Sequence, residues 1–114
     1  MHIYFGTVVR TAPVREGGEL DKLDWDNKRV LESVPIVPED PSVEHDPNAR
    51  GNTSGCRGIQ VRGDRVLAAS YHSFEVFDRD LNRLRRMWDG LMVGLHETSL
   101  DGDTLWVTST AIDA

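Results

Sequence analysis

Apolar residues in this chain fall in short runs that alternate with polar ones, the period-two signature of strands buried on one face. Residues 2–9 are rich in β-branched and aromatic types and predict a first strand. Residues 11–18 hold Pro13 and the Gly17-Gly18 pair and predict a loop. Alternation resumes over 19–25, where the spacing of Leu20 and Leu23 predicts a kink or bulge between them. Asp26-Asn27 then turns the chain into a strand over 29–34. Four more strands are predicted over 58–61, 65–71, 73–78 and 84–88, with Asp80-Leu81-Asn82 as the turn between the last two. No long stretch carries the 3.6-residue period of a helix; residues 80–88 are the one ambiguous piece.

The strand pattern itself repeats. Residues 55–70 read as strand, Gly-Asp turn, strand, and residues 94–109 repeat that layout without a gap, thirty-nine positions later. Gly55 superposes on Gly94, Val61 on Leu100, Gly63 on Gly102, Asp64 on Asp103, Leu67 on Trp106 and Ser70 on Ser109. In the same way residues 23–30 parallel residues 76–83. A period near forty, with short strands and a Gly-Asp turn per unit, predicts stacked β-propeller blades. The expected fold is therefore all-β and propeller-like, with about two and a quarter four-stranded antiparallel blades forming an incomplete, open propeller. Residues 2–35 are blade 1 without its inner strand, 36–57 a long Pro/Gly-rich loop, 58–89 blade 2, and 94–114 the first half of blade 3. The 114-residue length is too short for a closed propeller, which needs at least about four blades. The expectation is the N-terminal part of a longer propeller, or a fragment that needs partner copies, with Leu105-Trp106-Val107 left along an open edge.

Arg57-Gly58-Ile59, the Gly-Asp turns, Glu75-Val76-Phe77-Asp78, Leu95-His96-Glu97 and Leu105-Trp106-Val107-Thr108-Ser109 resemble the propeller group that contains NHL-like, gluconolactonase-like and arylsulfotransferase-like repeat proteins. The WD40 signature is absent: Trp88-Asp89 occurs without a paired Gly-His. The resemblance implies a mouth of the central channel lined by the loops entering the inner strands and by those between second and third strands. Mapped here, that mouth holds Arg57, Tyr71, His72, His96, Glu97 and Thr110, with Arg57 and His96 at the same position of the two repeats. Polar groups at equivalent channel positions suit a ligand site.

His96 is the sharpest chemical candidate. Sulfate-transferring propellers resembling this group use a channel histidine as nucleophile, so His96 is the candidate catalytic residue and Arg57 its anion binder. The plain alternative is a histidine that hydrogen-bonds the backbone of a neighbouring blade. Adjacent strand residues point to opposite faces, so His96 and Glu97 share the channel only if the strand bulges. His72 could add a second imidazole, but a metal would need converging carboxylates, and no metal or other cofactor is expected. Glu44-His45-Asp46 reads as a solvated acidic loop rather than a hard-metal site. Residues 51–57 start like a phosphate loop yet lack its Lys-Ser/Thr ending and following helix. Cys56 is expected to be a small buried hydrophobe, and Trp25, Trp88 and Trp106 to pack between blades.

Composition narrows the partners. Nineteen Asp and Glu against thirteen Lys and Arg give a net charge of −6, which argues against nonspecific nucleic-acid binding. The one basic cluster, Arg79, Arg83, Arg85 and Arg86, lies among Asp78, Asp80 and Asp89 and reads as a solvated strand edge. With one cysteine there is no internal disulfide. The first residues lack the basic flank and long apolar core of a signal peptide, and no run approaches a membrane span; a cytoplasmic protein is expected, so the Asn52-Thr53-Ser54 sequon carries no weight. The functional expectation is a noncatalytic module that binds an unknown small molecule or protein through its mouth-side loops. The alternative is part of a propeller enzyme, a hydrolase or group transferase, using His96 with Arg57. A third possibility is a structural piece that assembles with copies of itself or with missing C-terminal blades.

Overall fold

A computed structural model describes residues 1–38 and 55–110. Most of the predicted Pro/Gly-rich loop lies outside the described residues, as do Glu44-His45-Asp46 and Asn52-Thr53-Ser54. The described residues form nine strands and one 3-10 turn at Val14–Glu16, with no α-helix among them. The strands are β1 (His2–Gly6), β2 (Glu19–Asp24), β3 (Arg29–Pro35), β4 (Gly58–Arg62), β5 (Arg65–Ala69), β6 (Ser73–Asp78), β7 (Arg83–Trp88), β8 (Leu95–Asp101) and β9 (Thr104–Ser109). They build three antiparallel sheets, each a sequential meander: β1-β2-β3, β4-β5-β6-β7 and β8-β9. The ambiguous piece at 80–88 is a strand, β7, because its backbone completes the free edge of β6.

Local chemistry sets the strand ends. β5 stops at Ala69, two residues short of the predicted end, since Ser70 Oγ accepts the N–H groups of His72 (3.2 Å) and Ser73 (2.9 Å) and bends the chain. The two Gly-Asp hairpins carry positive φ on glycine alone (57° at Gly63 and at Gly102), the pattern of a type II′ turn. The turns β2–β3 and β6–β7 are each tied by an aspartate. Asp24 accepts from the N–H of Asp26 and from Asn27, and Asp78 from the N–H of Asp80 and from Asn82. These bonds, those to Asn27 and Asn82 foremost, hold both carboxyls below the usual carboxylate range. Asp24 is thus the counterpart of Asp78, and the gapless parallel of residues 23–30 with 76–83 is off by one. The loops differ in length: Asp24 pairs with Arg29, whereas Asp78 N–H already meets Asn82 C=O. The predicted irregularity between Leu20 and Leu23 is a register shift between Lys22 and Leu23, with the extra residue, Leu31, on β3.

The sheets stack face to face in chain order. Leu20, Tyr4, Val34 and Ile36 from the first sheet pack on Val66, Ala68, Phe77, Leu81, Ile59 and Cys56 of the second. The opposite face of the second sheet, with Leu67, Ala69, Phe74, Val76 and Met87, packs on Leu95, Leu105 and Val107 of the third. Burying a Phe such as Phe74 or Phe77 contributes about 1.5–3 kcal/mol, so these layers are the main cohesive force. Polar links fix their register: Lys22 to Asp80 (3.0 Å), Tyr4 Oη to Arg79 C=O (2.7 Å) and Arg83 to Pro35 C=O (3.2 Å). Glu75 is fully buried and takes both Arg83 Nε (2.7 Å) and Arg86 Nε (3.0 Å). Arg83 and Arg86 therefore turn inward onto Glu75 across the β6–β7 pair of the second sheet, and Arg83 also reaches the first sheet at Pro35 C=O, where a solvated edge was expected. The tryptophans also differ from expectation. Trp25, Trp88 and Trp106 are all exposed, while Phe74 and Phe77 fill the layers.

Candidate functional site

Strands β4 and β8 run side by side, and side chains 38 to 41 residues apart stitch them together. Gln60 Nε2 donates to Thr98 C=O at 2.8 Å, and Arg62 reaches Gly102 C=O and Asp103. Gly58 makes the close approach possible, because a Cβ there would sit 2.8 Å from His96 C=O. At the head of this seam Arg57 Nη1 lies 2.8 Å from His96 Nε2. A guanidinium N–H can only donate, so Nε2 accepts and the imidazole proton resides on Nδ1. His96 thus meets a neighbouring side chain where a backbone partner was the plain expectation.

Tyr71 joins the pair. The Arg57 guanidinium lies 5.2 Å from the Tyr71 ring centroid, within cation–π range, and the His72 ring meets Tyr71 edge-on at 4.6 Å. The Ser70 turn presents both rings here, and Tyr71 C=O accepts from Gly94 and Leu95 N–H, docking the entry to β8. Burial pushes the Arg57 guanidinium below its usual range, the Tyr71 hydroxyl acts the other way, and Arg10 adds repulsion. Arg10, from the loop after β1, is the residue that sequence reasoning missed. No repeat or motif marks it, and only the stacking of the first sheet brings it close.

The remaining predicted residues, Glu97 and Thr110, make different contacts. The ladder between β8 and β9 shifts register between Leu95 and Thr98, so the bulge needed for His96 and Glu97 to share a face does exist. Glu97 N–H is held by Thr108 Oγ1 (3.0 Å), and Glu97 lines a shallow hollow of about 260 Å³ with Ser99, Trp106 and Thr108. Thr110 donates its hydroxyl to Gly94 C=O at 2.8 Å, closing the hairpin base. A cleft of about 510 Å³ between the far ends of the second and third sheets is lined by Arg62, Leu67, Phe74, Met87 and Leu105 among others, and contains none of the predicted site residues.

Cys56 is buried beside Gly6, and burial, with Glu75 and Asp21 nearby, pushes its thiol up to about 12; it is a packing residue, as expected. Among the described residues no group of three or more His, Cys, Asp or Glu is placed to hold a metal. No helix among them is long and apolar enough to cross a membrane. No family model matches the chain, and neither the curated proteins nor the solved structures contain a match to it.

Proposed function

We propose that the chain is a propeller-like, noncatalytic binding module that takes an anionic ligand at the seam of its second and third sheets. Each sheet is read as one blade, and Arg57, His96, Tyr71 and Arg10 as the contact residues at the channel mouth. The observation that carries the reading is the Arg57–His96 contact at equivalent repeat positions. Two nitrogen-rich side chains converge there, a second arginine adds positive potential, and an aromatic face backs the guanidinium. In a chain of net charge −6 such a local excess of cationic groups suits a carboxylate or oxyanion. The same contact favours binding over catalysis, because Arg57 occupies the Nε2 lone pair that a nucleophile or general base would use.

The test is a titration with phosphate, sulfate and a short carboxylate, followed by the His96 imidazole resonances. Binding in the millimolar range or tighter is expected, and Arg57→Ala should weaken it at least about tenfold, equivalent to 1.4 kcal/mol. Anion binding that is indifferent to Arg57→Ala, or no response of His96 at tens of millimolar on the order of the weakest useful affinity, would refute the reading.

A further inference from the structure

Among the described residues, two sheet faces have no other sheet packed on them, one at each end of the stack. The third sheet turns Leu105 and Val107 onto the second sheet, so Trp106 points the other way and is 65% exposed. Its repeat counterpart, Leu67, occupies the same face of the second sheet and is covered there by the third sheet. At the other end, Tyr4, Leu20 and Val34 face the second sheet, so Ile3, Phe5, Leu23 and Val30 point outward. Phe5 is 37% and Val30 50% exposed. The pair Ile3–Leu23 stands where Val66–Phe77 stands in the second sheet, and that pair is fully buried against the first sheet.

The chain therefore displays, at opposite ends, the two halves of a contact that it already makes twice internally. We propose that a second copy of this chain seats the outer face of its first sheet, through Phe5 and Val30, on the Trp106 face of the third sheet. The stack then continues from one copy into the next in the same sense. The interface is head-to-tail: different surfaces meet, in contrast to a self-complementary dimer. Trp106, ringed by Glu97, Ser99 and Thr108, has the make-up of a central aromatic anchor with a polar rim. The inference does not depend on the anion site, which lies on the internal seam.

Light scattering on the purified chain should give at least twice the chain mass. Trp106→Asp and the double variant Phe5→Asp/Val30→Asp should each reduce it to monomer, with circular dichroism unchanged because all three side chains are exposed. Each variant keeps one intact face, so mixing the two in equal amounts should restore a one-to-one complex that grows no further. A monomeric parent chain overturns the proposal. So does an assembly that survives Phe5→Asp/Val30→Asp, since that would place Trp106 against itself.

Discussion

Glu75 offers the sharpest test of how the buried face of the second sheet is held. It is fully buried, and its two oxygens take Arg83 Nε at 2.7 Å and Arg86 Nε at 3.0 Å. Each is a charge-assisted bond, worth about 1.5–3 kcal/mol in a buried setting. The Arg86 side chain is only 14% exposed, so that bond keeps most of its value. The Arg83 side chain is 34% exposed, and water screens its bond toward the value of about 0–1 kcal/mol typical of surface pairs. Glu75→Gln keeps the shape and removes the charge, and should cost about 2–4 kcal/mol, most of it through Arg86. Urea unfolding followed by circular dichroism reads this as a lower midpoint at unchanged slope. A double-mutant cycle with Arg86→Met should return a coupling of about 1.5–3 kcal/mol, and one with Arg83→Met roughly 1 kcal/mol or less. The reasoning is refuted if Glu75→Gln falls within about 0.5 kcal/mol of the parent, the ordinary range of surface substitutions. It is refuted equally if the larger coupling belongs to Arg83.

Two further outcomes are expected. Gly63→Ala should destabilise by about 1 kcal/mol, because φ is +57° while a Cβ meets nothing within 4 Å; a neutral result by thermal melting would mean the turn relaxes freely. For Cys56 the folded thiol titrates near 12 against an ordinary 9.0, so above pH 9 the unfolded chain ionises first and stability falls as pH rises. Cys56→Ala should remove that part of the alkaline loss, about 1.4 kcal/mol per pH step, and an equal slope in both proteins would show that the thiol is not the cause.

Much of the fold was legible because antiparallel hairpins write themselves locally. Alternation gives the strands, and Gly63-Asp64 and Gly102-Asp103 give the turns. Aligning residues 55–70 with 94–109 also put Arg57 and His96 at matching positions, and they touch. Stacking, by contrast, leaves little trace in alternation. The second sheet is covered on both faces, so a one-sided reading cannot tell that Glu75 is inside or that Arg83 and Arg86 reach in to meet it. The tryptophans misled for the opposite reason. Each sits in a strand pattern, but Trp25, Trp88 and Trp106 fall at the ends or on the outer faces of the stack, where they stay exposed even though Lys28 lies over the Trp25 ring. Arg10 left no signal at all, since a loop residue becomes part of a site only through the packing of separate sheets.

The meander order of the three sheets has a consequence for how rigidity is distributed. Among the described residues, ladder bonds join strands adjacent in sequence, and the main strand contacts between sheets join neighbouring sheets. Cooperativity then passes from sheet to sheet as along a one-dimensional array, with the middle sheet buttressed twice and the end sheets once. Amide exchange should accordingly be slowest in β5 and β6 and fastest in the two-stranded sheet, whose opening is a local event. Because His96 rides on that sheet and Arg57 on the edge of the middle one, the proposed anion pocket would exist only while the two sheets are docked. On that proposal, occupancy of the pocket and closure of the seam would be two readings of one equilibrium, and a ligand there would act as a latch on the most loosely held of the three described sheets.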